Sequence, residues 1–207
     1  MKVVVLVSGK VRSGKNTFTD LFIDEINKNF PGIKVSFDFF AKPLKDESKE
    51  VFRNLINYLN DVSKRTGVSE LYTDDDNWYE DKNEITRILL QTYGTEIFRD
   101  KVDNLHWIKK LSERLKASDS EIVLVTDWRF KNEGDYIGAQ KDYNVIRLRV
   151  NRPELLIPVS DMTQHESELD LDDYENFDVV IKNTSIDSLR NKAREVMFEI
   201  TDLLSKW

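Results

Sequence analysis

The feature that most limits how this chain can fold is a glycine-rich loop near its start. Residues 9–17, GKVRSGKNT, match the pattern G-x-x-x-x-G-K between an apolar, β-branched run at 3–7 and an amphipathic stretch at 16–29. A strand must deliver such a loop and a helix must follow at once, so that backbone N–H groups and the positive helix end face an anion. The order therefore predicts a phosphate-binding unit, with an ordinary glycine-rich turn as the alternative.

Lys15 is the loop residue expected to reach phosphate oxygens as a compact positive charge. The position after it usually carries a Mg²⁺-binding Ser or Thr, but here it holds Asn16, and Thr17 follows. We therefore expect Mg²⁺ to be held through Thr17, or by waters with weak protein ligation. The residues expected to surround the phosphates are Gly9, Arg12, Ser13, Gly14, Lys15, Asn16 and Thr17.

The rest of the chain alternates apolar strand patterns with helical patterns. Strands are predicted at 3–7, 33–39, 122–126, 145–150 and 179–181. Helices are predicted at 16–29, 43–60, 85–92, around 102–115, 132–141 and 185–204. This alternation indicates an α/β fold: a mostly parallel five-stranded sheet between two helical layers. With no repeat and no Pro/Gly/Ser-rich linker, we expect a single domain over 1–207.

Two segments fit the alternation poorly. Residues 61–83 are polar and aperiodic and are interpreted as an insertion, whereas 151–177, acidic after His165, are interpreted as a mobile lid with its return loop. The last predicted helix carries one apolar stripe, which is most simply a packing surface but also fits a homodimer interface.

Composition narrows the class of protein. A chain of 207 residues with 40 % hydrophobic and 33 % charged residues fits a globular protein. Cysteine is absent, which excludes disulfides and thiolate metal sites and suits the cytoplasm. No stretch resembles a secretory signal or a membrane span. The net charge of −7 disfavours a general attraction to nucleic acid.

Charged residues follow the third and fourth predicted strands. Asp127 ends the third strand, at the sheet edge where open α/β sheets bind ligands; it could act on Mg²⁺, a substrate hydroxyl or a basic neighbour. Arg147, Arg149 and Arg152 surround the fourth strand. Arg152, just outside it, is the best candidate for a lid arginine that holds the transferred phosphoryl group, and a solvated strand edge is the alternative.

Several short blocks together resemble the deoxynucleoside monophosphate kinases of T-even-like bacteriophages. The blocks are the loop at 9–17, LKD at 44–46, Arg87 with QTYGT at 91–95, Trp107, DWRFKNE at 127–133, VIRLRVNRP at 145–153 and HESE at 165–168. They occur in the same order as in that family, between residue 2 and about residue 183. Residues 54–83 have no counterpart.

The resemblance implies a P-loop kinase that uses ATP and Mg²⁺ to convert a deoxynucleoside monophosphate into the diphosphate, in the cytoplasm of a cell or of a virus host. It implies catalytic roles for Lys15, Asp127, Arg129 and Arg152, with Mg²⁺ near Thr17 and Asp127. The implied partners are small nucleotides. The implied substrate-binding residues are Leu44, Lys45, Arg87, Gly94, Thr95, Trp107, Asp127, Arg129, Glu133 and Ser167.

The expected mechanism is direct in-line transfer without a covalent enzyme intermediate. A phosphate monoester has its second pKa near 6 and is already an anion, so no strong general base is needed. A kinase of another phosphorylated small metabolite would carry the same loop and arginines. A nucleotide-binding switch module is a further alternative, although no Asn-Lys-x-Asp guanine-reading motif occurs.

Overall fold

A computed structural model describes residues 2–67, 84–153 and 166–206 of the chain. Its strands are β1 (Lys2–Ser8), β2 (Val35–Asp38), β3 (Ile122–Val125), β4 (Tyr143–Asn151) and β5 (Val179–Lys182). Its helices are α1 (Lys15–Asn29), α2 (Ala41–Thr66), α3 (Glu84–Gln91), a π-helix (Thr92–Val102), α4 (His106–Ala117), α5 (Lys131–Gly138), α6 (Glu166–Leu169) and α7 (Ile186–Ser205). None of these helices is both long and apolar enough to cross a membrane.

The chain divides into two compact units. The first comprises Met1–Phe39 and Leu111–Trp207, and the second comprises Phe40–Lys110. The first unit contains the whole sheet and the glycine-rich loop, and the second contains α2, α3 and the π-helix.

The sheet of the first unit has five strands in the order β2-β3-β1-β4-β5. All four strand pairings are parallel; Val5 of β1, for example, lies opposite Leu124 of β3 and Ile146 of β4. The predicted α/β fold with a five-stranded sheet is therefore confirmed. Since β1 is central, the loop that follows it lies at the middle of the carboxyl edge of the sheet.

Successive side chains of each strand point to opposite faces of the sheet and pack against the helices on those faces. Val3, Val5 and Val7 of β1 belong to one core with α1 and α7, where the apolar stripe of α7 is buried as the packing surface that was expected. Val4 and Leu6 point the other way and are also fully buried. On that side Leu111 and Leu115 of α4 are buried, and the Lys2 ammonium donates to the carbonyl oxygens of Leu115 and Ser118.

The helices of the second unit are longer than the sequence predicts. Helix α2 continues to Thr66 and ends at Gly67, which has φ 71°, so residues 61–66 are helical and not part of an aperiodic insertion. The rest of the expected insertion, from residue 68 on, lies outside the described residues, as do residues 154–165 of the expected lid. The helix predicted at 85–92 continues as the π-helix, where Gly94 lets Leu44 pack closely: an added Cβ would lie 2.7 Å from Leu44 Cδ2.

Candidate functional site

The glycine-rich loop adopts a backbone that its two glycines make possible. Gly9 has φ 148° and Gly14 has φ 100°, both in the region that side chains disfavour. A Cβ at Gly9 would lie 2.4 Å from the carbonyl oxygen of Val150, so the loop also approaches β4 too closely for any other residue. Arg12 of the loop also has a positive φ, 61°, and it is the one described residue other than glycine that does. The loop is thus a tightly wound connection between β1 and α1.

Helix α1 starts directly at the end of this loop. Gly14 is its N-cap and supplies no side-chain cap, and the first turn contains no acidic residue. The partial positive charge of the helix N-terminus is therefore not neutralised by its own first turn. Of the loop residues expected to surround phosphate, Ser13 is buried, Thr17 is half-buried, and Arg12 and Asn16 are exposed.

The side chain of Lys15 folds back over the loop. Its ammonium group donates to the carbonyl oxygens of Gly9 and Lys10, at 3.1 Å for the latter. Burial, helped by the positive charge of Arg129 and opposed by the negative charge of Glu168, lowers the pKa of Lys15 to about 8. Cations thus crowd this end of the sheet, as a site for an anionic ligand requires.

A small pocket opens beside Lys15 in the first unit. It brings together five of the predicted site residues, from the loop, from the connection after β3 and from α6. It is also bordered by five residues that the sequence did not predict to bind a ligand. The lining comprises Gly9, Lys15, Asp127, Arg129 and Ser167, together with Lys10, Trp128, Arg149, Glu168 and Leu171.

The connection from β3 to α5 is held rigidly. Glu133 is buried, and its carboxylate accepts from the backbone N–H groups of Arg129 (2.9 Å) and Phe130 (3.1 Å), which caps α5. The indole of Trp128 donates to the carbonyl oxygen of Phe130 at 2.8 Å. Glu133 therefore fixes the backbone that carries Arg129, and its expected contact with substrate stays a prediction.

Carboxylates from α6 and the turn after it pair with the cations of the pocket. Arg129 is paired with Glu168, and Lys10 with Asp172. Arg149 donates to Asp172 at 2.7 Å and lies 5.5 Å from the ring centre of Phe177. Ser167 and Glu168 thus border the pocket, and the lid expected around them stays a prediction.

Arg149 was one of three arginines considered for the lid role, and it is the one of the three that lines the pocket. Arg152 was the preferred arginine, but it is exposed just beyond β4, whereas Arg149 borders the pocket. The signal was present in the alternation of β4: Ile146 and Leu148 pack into the core with α1 and α7, so Arg149 must face the opposite side. The lid role of Arg152 stays a prediction.

Among the predicted site residues of the second unit, contacts join Gly94 to Leu44 and to Trp107. Gly94 contacts Leu44, and its carbonyl oxygen accepts from the indole of Trp107 at 2.9 Å. Trp107 is 4 % exposed and packs against Phe98. It is therefore a core aromatic in this structure, and its expected contact with a base stays a prediction. Lys45 and Thr95 are half-buried, and the side chain of Arg87 lies outside the described part.

The chain is similar in sequence to known nucleotide kinases. A family model described as deoxynucleotide monophosphate kinase matches residues 36–193, well over half of the chain. The deoxynucleoside-5'-monophosphate kinase of Escherichia phage T5 is 24 % identical over an alignment 194 residues long, and the alignment covers 73 % of this chain and 78 % of that protein. The family match begins after the glycine-rich loop, so the loop is an independent observation.

Proposed function

Because the chain belongs to the deoxynucleotide monophosphate kinase family, we propose that it transfers the γ-phosphoryl group of ATP to a deoxynucleoside monophosphate. One observation carries this proposal: Lys15 of the loop, Asp127 and Arg129 border the same pocket at the carboxyl edge of the sheet. A strand-loop-helix unit with a half-buried lysine suits a triphosphate, and the arginine suits the charge that develops on the transferred group.

The cations of the pocket supply the electrostatic part of this mechanism. Lys15 would hold the β- and γ-phosphates, while Arg129 and Arg149, with Arg152 as the lid candidate, would neutralise the equatorial oxygens of the transferred group. Both Arg129 and Arg149 now pair with carboxylates at the pocket rim, so phosphates would compete for the same donors. Arginine suits this exchange because its planar fork binds carboxylate and phosphate alike.

In the transfer step, an oxygen of the acceptor phosphate attacks the γ-phosphorus of ATP. A new oxygen–phosphorus bond forms while the bond from the γ-phosphorus to the β,γ-bridging oxygen breaks, and ADP leaves with that electron pair. The acceptor oxygen is already ionised at neutral pH, since the second pKa of a phosphate monoester is about 6. The protein therefore contributes alignment and charge neutralisation, not a general base.

We propose that a Mg²⁺ ion bound together with the triphosphate would be held in part by Thr17 and Asp127. The Thr17 hydroxyl stands in the first turn of α1 and Asp127 borders the pocket, so both offer the oxygen ligands that Mg²⁺ prefers. The described residues contain no cluster of three or more His, Cys, Asp or Glu that would bind a metal alone. Phosphate oxygens and waters would complete the shell, and the ion would offset phosphate charge during transfer.

The test is ADP release with ATP, Mg²⁺ and each deoxynucleoside or ribonucleoside monophosphate in turn. We expect turnover with at least one deoxynucleotide and, for Lys15→Met, a loss of kcat/KM for ATP of about a hundredfold or more. Lys141→Met is the matched control, because Lys141 is an exposed lysine outside the pocket. Normal turnover of Lys15→Met would refute the role of the loop, and ATP binding without acceptor-dependent turnover would refute the kinase proposal for nucleotides.

A further inference from the structure

We propose that Asn183 is a positioning residue that sets the geometry of the phosphate loop. It follows β5 directly, and its side-chain amide Nδ2 donates to the carbonyl oxygen of Ser13 at 2.8 Å in a buried contact. The two residues are 170 positions apart in the sequence. The inference rests on the proposed function, because it takes the loop to be the part of the site that binds the triphosphate.

The contact is built into the loop through Gly14. A Cβ at Gly14 would lie 2.4 Å from Asn183 Nδ2, so the amide occupies the space that a side chain would fill. A backbone φ of 100° at Gly14 disfavours other residues as well. The absence of a side chain at Gly14 therefore allows the Asn183 amide to come close enough to the loop backbone to form its hydrogen bond.

Asn183 is itself anchored by the sheet. Its backbone N–H donates to the carbonyl oxygen of Asn151, at the end of β4, at 2.7 Å. The residue is 9 % exposed, so water has little access to replace the amide. Within the loop, the Ser13 N–H donates to the carbonyl oxygen of Lys10 at 3.1 Å. The contact with Asn183 additionally fixes the position of the loop relative to the carboxyl ends of β4 and β5.

Fixing one carbonyl fixes the direction of a donor. In a planar trans peptide the C=O of Ser13 and the N–H of Gly14 point in opposite directions. With the carbonyl turned towards Asn183, the Gly14 N–H is turned away from Asn183, and the next residue, Lys15, begins α1. Phosphate loops bind anions through converging N–H groups of this kind. Asn183 therefore fixes the direction of the Gly14 N–H and the position from which Lys15 begins.

The experiment compares Asn183→Ala and Asn183→Asp with Val196→Ala, a control that truncates a buried core residue of α7 outside the loop. Titration calorimetry gives the Kd for Mg·ATP and for Mg·tripolyphosphate, and urea unfolding gives the stability. We expect the Kd of both ligands to rise about tenfold for Asn183→Ala, the effect of one buried hydrogen bond. The rise should be larger for Asn183→Asp, because its carboxylate repels the Ser13 carbonyl and the phosphates.

The pattern of effects separates positioning from general stability. The KM for the acceptor should stay unchanged in both Asn183 variants, while Val196→Ala should lose stability and keep its Kd for Mg·ATP. Wild-type Kd values in both Asn183 variants, an equal loss of affinity in Val196→Ala, or failure of both Asn183 variants to fold would overturn the inference. If the wild type binds tripolyphosphate but not ATP, the proposed function fails while the role of Asn183 is still measured; binding of neither ligand would overturn both.

Discussion

At the scale of single residues, the burial of Lys15 makes its charge depend on pH within the range of ordinary enzyme assays. Its pKa is lowered to about 8, first by burial and then by the neighbouring Arg129. Below pH 8 the free protein carries an ammonium group beside the loop, and above it the neutral amine predominates. The charge that holds the phosphates is therefore lost on the alkaline side.

We accordingly expect kcat/KM for ATP to fall as the pH rises above about 8, by up to tenfold per pH unit. The phosphates do not contribute to this limb, because their last pKa is about 6. Initial rates at low ATP concentration between pH 7 and 10 measure it. Lys15→Arg is the diagnostic variant: arginine stays charged, so its lower activity should show no limb near pH 8. An unchanged limb in Lys15→Arg would assign the titration to another group.

At the scale of elements, the connection from β3 to α5 depends on the absence of one side chain. Gly134 of α5 lies against Trp128, and a Cβ there would lie 2.5 Å from Trp128 Cζ2 and 2.9 Å from Cε2. Trp128 is buried and also packs against Tyr174 and Phe177 at 5.4 Å between ring centres, so it has little room to move. The glycine therefore allows the indole to support the backbone that carries Arg129.

Gly134→Ala is therefore expected to lower the free energy of unfolding by about 1–3 kcal/mol, since overpacking outweighs the better helix propensity of alanine. Gly32→Ala is the matched control, because nothing lies within 4 Å of a Cβ at Gly32. Urea unfolding of both variants gives the comparison. A Gly134→Ala variant as stable as Gly32→Ala would mean that the indole can shift, and that it does not fix the connection.

At the scale of the whole molecule, local patterns predicted the fold and part of the site. Alternating strands and helices indicated the parallel sheet, and the order of its elements placed Lys15 and Asp127 at one edge. The contact between Asn183 and Ser13 was not predictable, because it joins positions 170 residues apart and depends on where β5 lies beside β4. The π-helix was not predicted, because a glycine such as Gly94 is as typical of a helix end as of a helix interior.

An ion pair between distant positions of the sequence, Glu25 and Arg194, makes the stability of the first unit depend on pH in the acid range. Glu25 of α1 has a side chain 5 % exposed and accepts from Arg194 Nε of α7 at 2.9 Å, with Arg190 at 3.9 Å. The hydrogen bond from Arg194 is the main cause that lowers the pKa of Glu25 below its usual value of 4.5, against the opposing effect of burial. The ion pair between Glu25 and Arg194 therefore stabilises the packing of α1 against α7.

Because the pKa of Glu25 is lower in the folded than in the unfolded chain, its contribution is complete above about pH 5 and is lost as the pH falls through its folded pKa. Glu25→Gln should unfold at lower urea concentration than the wild type at pH 7, and this difference should shrink below pH 4. Glu199→Gln, an exposed change on α7, should match the wild type at both pH values. A difference between Glu25→Gln and the wild type that stays constant from pH 7 to pH 3 would mean that the loss reflects packing and not the ionised pair.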